Sequence, residues 1–118
     1  MTDGKRKMMD TMQAQLDAFN TRDLEAFIAC YAPDVIIEGA DGAVMMRGHE
    51  ELRAMYGQLF AQSPELHCEV TSRIRVGAYA IDEEHTTGFV FAGFPTELHV
   101  AVVCRLDAGR IAHLRLLM

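Results

Sequence analysis

TELHVAVVCRLDAGRIAHLRLLM, residues 96–118, is two apolar, β-branched runs joined by Asp107-Ala108-Gly109. Gly109 stands where a three-residue hairpin loop needs a residue of positive φ. With Leu106 and Arg110 closing that loop, Val102 opposes Leu114, Cys104 opposes Ala112 and Val100 opposes Leu116, and opposed residues share a face. One face then holds Leu98, Val100, Val102, Cys104, Ala112, Leu114, Leu116 and Met118, all of them apolar. The other holds His99, Ala101, Val103, Arg105, Ile111, His113, Arg115 and Leu117, a mixture that suits a surface or a partner interface. A wholly apolar sheet face needs a cover.

Upstream of the hairpin, Leu66 to Val76 and Ala78 to Phe91 read as strands, with a turn at Gly77, a bulge at Gly88 and a turn at Ala92-Gly93-Phe94-Pro95. A helix from about His49 to Gln62 presents the stripe Leu52, Met55, Tyr56, Leu59 and Phe60 and stops at Pro64. Before it lie two short strands, Asp34 to Glu38 and Ala43 to Met46, around the turn Gly39-Ala40-Asp41-Gly42, with Gly48 closing the region. The chain starts with a helix from Lys5 to Asn20 whose stripe is Met9, Met12, Leu16 and Phe19. A second helix follows, capped by Thr21, carrying Leu24, Phe27, Ile28 and Tyr31 inward and ended by Pro33. Three amphipathic helices and then consecutive antiparallel strands define an α+β fold, and the helices are the cover that the hairpin needs.

The 118 residues make one domain, 1–118, long enough to bury roughly two thirds of the surface of its unfolded chain. Cys30, Cys68 and Cys104 are odd in number and set among apolar neighbours, as buried free thiols of a reducing compartment are. The basic start Lys5-Arg6-Lys7 leads into Met8-Met9-Asp10-Thr11 and not into an apolar segment, so a cytoplasmic location is expected. A net charge of −6 with scattered Lys and Arg argues against nucleic acid or an anionic membrane as partner.

This order of elements, with LDAFNTRDLEAFIACYAPDVIIEG, RGHEELRAMYGQLF, EEHTTG and the closing RLDAGRIAHLRLL, resembles the nuclear transport factor 2-like superfamily and, within it, the SnoaL-like and ketosteroid-isomerase-like branch. The resemblance implies a cone-shaped, cystatin-like roll: three N-terminal helices on a strongly curved antiparallel sheet. It also implies a cavity at the wide end and a homodimer through the outer face of the sheet. It says less about chemistry, because this fold hosts many activities. The isomerases' catalytic groups map onto Gly39 for the general base, Gln15 for the oxyanion-hole tyrosine and Val102 for the protonated aspartate, so all three are missing and steroid isomerase activity is rejected. Tyr31 and Tyr56 match two supporting tyrosine positions of some of these isomerases.

The acid/base candidates are in Asp82-Glu83-Glu84-His85, mid-strand where a sheet favours apolar or β-branched residues. In register with the apolar hairpin face, Asp82, Glu84 and Thr86 point into the cavity and Tyr79, Ile81, Glu83 and His85 point out; a one-residue slip reverses this. Glu84 or Asp82 is then a cavity acid or base, or else a partner of Arg73 and Arg75 on the neighbouring strand. Tyr31, Tyr56 and Gln15 are candidate polar groups of the cavity, with the alternative that they pack in the core or on a helix surface. The substrate-binding set is Gln15, Phe19, Tyr31, Met55, Tyr56, Phe60, Val102 and Leu114, with Met12 beside it. His85, His99 and His113 do not converge in this register, with His113 opposite Val103 and His99 opposite Leu117, and no closely spaced ligand pair exists, so no metal or nucleotide cofactor is expected. Alternation puts Cys68 on the face opposite His67 and Glu69, in the core. Glu38 turns outward.

Three functions follow: an enzyme (an isomerase, cyclase or hydrolase) moving a proton on a small, largely apolar oxygenated metabolite; a non-catalytic ligand-binding module; or a dimeric interaction domain.

Overall fold

The computed structural model describes the backbone of residues 3–118 and the side chains from Met8 onward, so the basic start Lys5-Arg6-Lys7 lies outside the described side chains. The chain runs α1 (Asp3–Thr21), α2 (Leu24–Ala29), β1 (Tyr31–Glu38), β2 (Val44–Arg47), α3 (Gly48–Gln62), β3 (His67–Val76), β4 (Tyr79–Thr87), β5 (Leu98–Asp107) and β6 (Arg110–Leu117). Six strands form one curved sheet in the order β2-β1-β6-β5-β4-β3. All neighbours are antiparallel except β1 and β6, which run parallel. The α+β class and the helix-covered sheet are those expected from the sequence. The parallel pair is not, and it arises because β6 returns to the sheet beside β1 after the long β3–β5 meander.

The closing hairpin differs from its expected register in an instructive way. Asp107 pairs with Arg110, leaving a two-residue turn of Ala108 and Gly109, both at positive φ. This is the geometry that suits the strand twist of a tight hairpin. A bulge beside Leu106 then restores even parity, so Val102 opposes Leu116 and Cys104 opposes Leu114. The two faces survive, with one exchange: Ile111 is fully buried and Ala112 is only half-buried.

Two element boundaries also move. Asp23, not Thr21, caps α2, its carboxylate accepting the Ala26 amide at 3.2 Å. The helix is over by Cys30, so Pro33 lies inside β1 and Tyr31 opens that strand instead of closing a helix. The fourth strand stops at Thr87. Gly88 follows at φ 67°, and residues 89–97 leave the sheet as an irregular strap.

The helices fill the concave side. Met12, Phe27, Tyr31, Val35, Ile37, Leu52, Cys104 and Ile111 are almost wholly removed from water. Phe27 stacks within 4.5 Å of Tyr56 and 5.6 Å of Phe60, so α2 and α3 meet through rings. At the sheet edge, Asn20 on α1 clasps β3: its side-chain carbonyl accepts the Cys68 amide at 2.7 Å and its NH₂ donates to the Cys68 carbonyl at 2.9 Å. All three cysteines are buried and free. Among the described residues no helix is long and apolar enough to cross a membrane.

Candidate functional site

Between the concave sheet and the helices lies a cavity of about 150 Å³. Its wall is mostly apolar, and a few polar groups converge on it: Gln15 from α1, Tyr31 from β1, Tyr56 from α3, Cys68 from β3, and Glu84 and Thr86 from β4. Of the residues expected to line it, Gln15, Phe19, Tyr31, Met55, Tyr56, Val102 and Leu114 do so. Phe60 does not; it turns into the aromatic cluster with Phe27 and Phe19, one helical turn from Tyr56 and on the core side of the stripe. Met12 is likewise core, not wall.

The structure separates the two β4 carboxylates. Both point inward, as the hairpin register requires, with Asp82 opposite Val102 and Glu84 opposite Val100. Asp82 is 1 % exposed and is gripped by Arg73, Nε to Oδ1 at 2.7 Å and Nη2 to Oδ2 at 3.0 Å. It is outside the cavity wall, so the ion-pair alternative holds for Asp82. Glu84, two residues on, is in the wall. Desolvation, and then the negative charge of Asp82, push its carboxyl up to about 7, against the smaller pulls of a Cys68 hydrogen bond and of Arg73.

Tyr31 accepts a hydrogen bond from Gln15 Nε2 on its hydroxyl oxygen at 3.1 Å, which leaves the phenolic proton free to be donated. Tyr56 makes no hydrogen bond among the described residues. Burial raises both phenols, so each stays a neutral donor. Burial, with Glu84 beside it, pushes the Cys68 thiol up to about 12. A thiol held that high is a poor nucleophile. Cys68 was expected in the core; it is buried and also forms part of the cavity wall.

The strap adds Phe89, Phe91 and Phe94, which pack on one another at centroid distances of 5.7–6.4 Å and close one side of the cavity. Ser63, fully buried after α3, pins it: its Oγ accepts the Val90 amide at 2.9 Å and donates to the Val90 carbonyl at 3.2 Å. Sequence reasoning missed this element, because Phe89-Val90-Phe91 has the period of a strand. The available signal was three phenylalanines in six residues after a glycine.

The outer histidines are dispersed over different carboxylates: His85 with Glu97 at 2.8 Å, His99 with Glu83 at 2.6 Å, and His113 with Glu38. The two-residue turn and the bulge beside Leu106 shift the expected β5–β6 pairings, so His113 opposes Arg105 and Leu117 opposes Ala101, while on the other side of β5 His99 opposes His85. Among the described residues no group of three or more His, Cys, Asp or Glu is placed to hold a metal ion.

A helix-filled, curved sheet with a lined cavity is the cystatin-like, nuclear transport factor 2-like fold, and the solved structures agree. An uncharacterised cystatin-fold protein from Novosphingobium aromaticivorans superposes with a TM-score of 0.82 at 24% identity, over 92% of this chain and 96% of that one. A protein of ketosteroid isomerase-like fold from Catenulispora acidiphila, in complex with trimethylamine, gives 0.71 at 22% identity, over 90% and 82% of the two chains. A further one of this fold, from Burkholderia pseudomallei, gives 0.73 at 24% identity, over 93% and 88%. The SnoaL-like domain model matches residues 12–114, and the chain belongs to that family. No curated protein matches its sequence.

Proposed function

We propose that the cavity binds a small, largely apolar oxygenated metabolite and that Glu84 moves a proton on it. The observation that carries this is one carboxyl, lifted to about 7 by an apolar wall, in a cavity that also holds two neutral phenols. A base whose pKa is near the working pH is the most effective one, and phenolic donors stabilise the oxyanion formed when a carbon beside a carbonyl loses its proton. In this reading the Glu84 carboxylate takes that proton, the O–H groups of Tyr31 and Tyr56 hold the enolate oxygen, and protonated Glu84 returns the proton to the same carbon or, where a C=C is conjugated with the enolate, to the far end of that double bond. A cavity of about 150 Å³ suits a single ring. That size, and the Gly39, Gln15 and Val102 positions, separate this reading from steroid isomerisation. A homodimer through the outer sheet face belongs to the same proposal.

Deuterium exchange into cyclohexanone and related one-ring ketones, followed by proton NMR, tests the reading. Exchange above the buffer rate is expected, rising through about pH 7 and falling about a hundredfold in Glu84→Gln. If no ketone of the panel exchanges, the catalytic part fails. The second reading, a non-catalytic binding module, then gains; it is favoured by the apolar Val102 where the isomerases carry an acid. The trimethylamine found with the Catenulispora neighbour supports a small organic ligand in either case.

A further inference from the structure

The cavity wall, among the described residues, is one cation short. Among the described residues Glu84 is the carboxylate in its wall, and no Lys, Arg or His lines it. The nearest guanidinium, Arg73, is already committed to Asp82 through two hydrogen bonds. The Cys68 thiol beside Glu84 favours its carboxylate form, but a thiol is a weak donor. An ionised Glu84 therefore lacks a matched cation among the described residues, and a buried unpaired charge is costly. The same cavity wall holds six aromatic residues: Phe19, Tyr31, Tyr56, Phe89, Phe91 and Phe94. Ring faces are electronegative and attract an organic cation that has left water. An anion would instead meet Glu84, with Asp82 behind it.

We infer that the cavity takes a small organic cation, an alkyl-substituted ammonium group, with Glu84 as its counter-ion and the aromatic rings as its wall. The inference rests on the reading of the cavity as a ligand site and adds the charge of the ligand. It is compatible with proton transfer where the cation also carries a carbonyl, because an ammonium group acidifies further the C–H bonds beside that carbonyl.

Charge on the ligand fixes the sign of the pH dependence. The groups facing Glu84 are Asp82 on its own strand, Arg73 and Cys68 on β3, Cys104 on β5, Tyr31 on β1 and Tyr56 on α3. The thiols and phenols are held neutral, and Arg73 stays bound to Asp82, so Glu84 is the group among them that changes charge near neutrality. A cation favours its carboxylate form, so binding releases a proton and tightens as pH rises. A neutral oxygenated ligand that accepts a hydrogen bond from the protonated carboxyl does the opposite.

Choline and its neutral isostere 3,3-dimethylbutan-1-ol differ in a quaternary nitrogen against a carbon, and neither titrates in this range. Calorimetric titration of both, between about pH 5.5 and 8.5 and in buffers of different ionisation enthalpy, separates the ligand charges. Expected are a preference for choline of about tenfold or more at the alkaline end, a smaller one at the acid end, and proton release on choline binding. Glu84→Gln should abolish the pH dependence and lower the preference at the alkaline end to the part that the aromatic wall supplies. The inference is overturned if the alcohol binds as tightly as choline at the alkaline end, or if the rise of the choline preference with pH persists undiminished in Glu84→Gln. Alcohol binding without choline binding removes the charge assignment and leaves the cavity reading standing; binding of neither removes both. The proton count on the unmodified protein keeps the test decisive if the variant does not fold.

Discussion

Glu84 and Asp82 sit two residues apart on one face of one strand, yet their surroundings give them opposite lives. For Glu84 the folded pKa of about 7 lies above the ordinary value of 4.5, so the folded protein holds the proton more tightly than the unfolded chain. The stability this represents is fully present below about pH 4.5 and is lost as pH rises through about 7. Glu84→Gln does not suffer that loss. Its melting temperature should therefore exceed the wild type's above neutrality, by the equivalent of about 2–3 kcal/mol, with the gap closing in acid. Asp82 is the reverse case. Asp82→Ala leaves Arg73 in a largely buried position without its partner and should cost about 3–5 kcal/mol in denaturant unfolding, whereas Arg73→Met combined with Asp82→Leu should lose much less than either single change. A cost below about 1 kcal/mol for the single change would make the pair incidental. Strand parity put both carboxylates on one face in the sequence, but that this is the inner face depended on a register that a one-residue slip reverses, and the pairing of β4 with β5 decides it. Which one meets Arg73 depends on the pairing of β3 with β4, and that pairing includes a register shift beside Val70 that no residue type announces.

At the scale of elements, the alternation of the final hairpin and the stripes of α1 and α3 were readable because burial imposes periods of two and 3.6 on the chain. The strap was not, since its conformation is set by contacts distant in sequence. A Cβ on Gly88 would come within 2.2 Å of the Glu65 carbonyl oxygen, and its φ of 67° disfavours side chains independently. Gly88→Ala is therefore expected to cost about 2 kcal/mol or more and to loosen the strap, read as faster hydrogen exchange at the Val90 amide that Ser63 holds. An unchanged exchange rate there would show that Ser63 alone fixes the strap. Tyr31 was misplaced for a related reason. A helix breaker at Pro33 marks only the latest point where α2 can end, and the helix ends earlier, where Cys30 caps it and its carbonyl is taken by the Ile111 amide at 2.9 Å. That bond joins the start of β1 to β6, and it delivers the Tyr31 ring to the cavity from the sheet and not from a helix.

For the whole molecule, the helices leave the convex side of the sheet uncovered, and this side carries the proposed dimer. Apolar residues reach it at the centre and along one edge: Val103 and Ala101 on β5, Leu117 on β6, and the exposed Ile74, Val76 and Tyr79 of the β3–β4 hairpin. The histidines there are already matched to Glu83, Glu97 and Glu38 within the chain, so the face is not a field of unpaired charge. Light scattering at micromolar concentration should give twice the chain mass of 13.2 kDa. Val103→Glu should give the single mass, because it places a carboxylate at the middle of a face that needs about 800 Å² per partner. A single mass for the unmodified protein removes the dimer and makes this face solvent surface. The choice of Val103 also keeps the test clean: Val102 and Val103 are adjacent on β5 but point to opposite sides of the sheet, so the cavity wall at Val102 is retained while the outer face is changed.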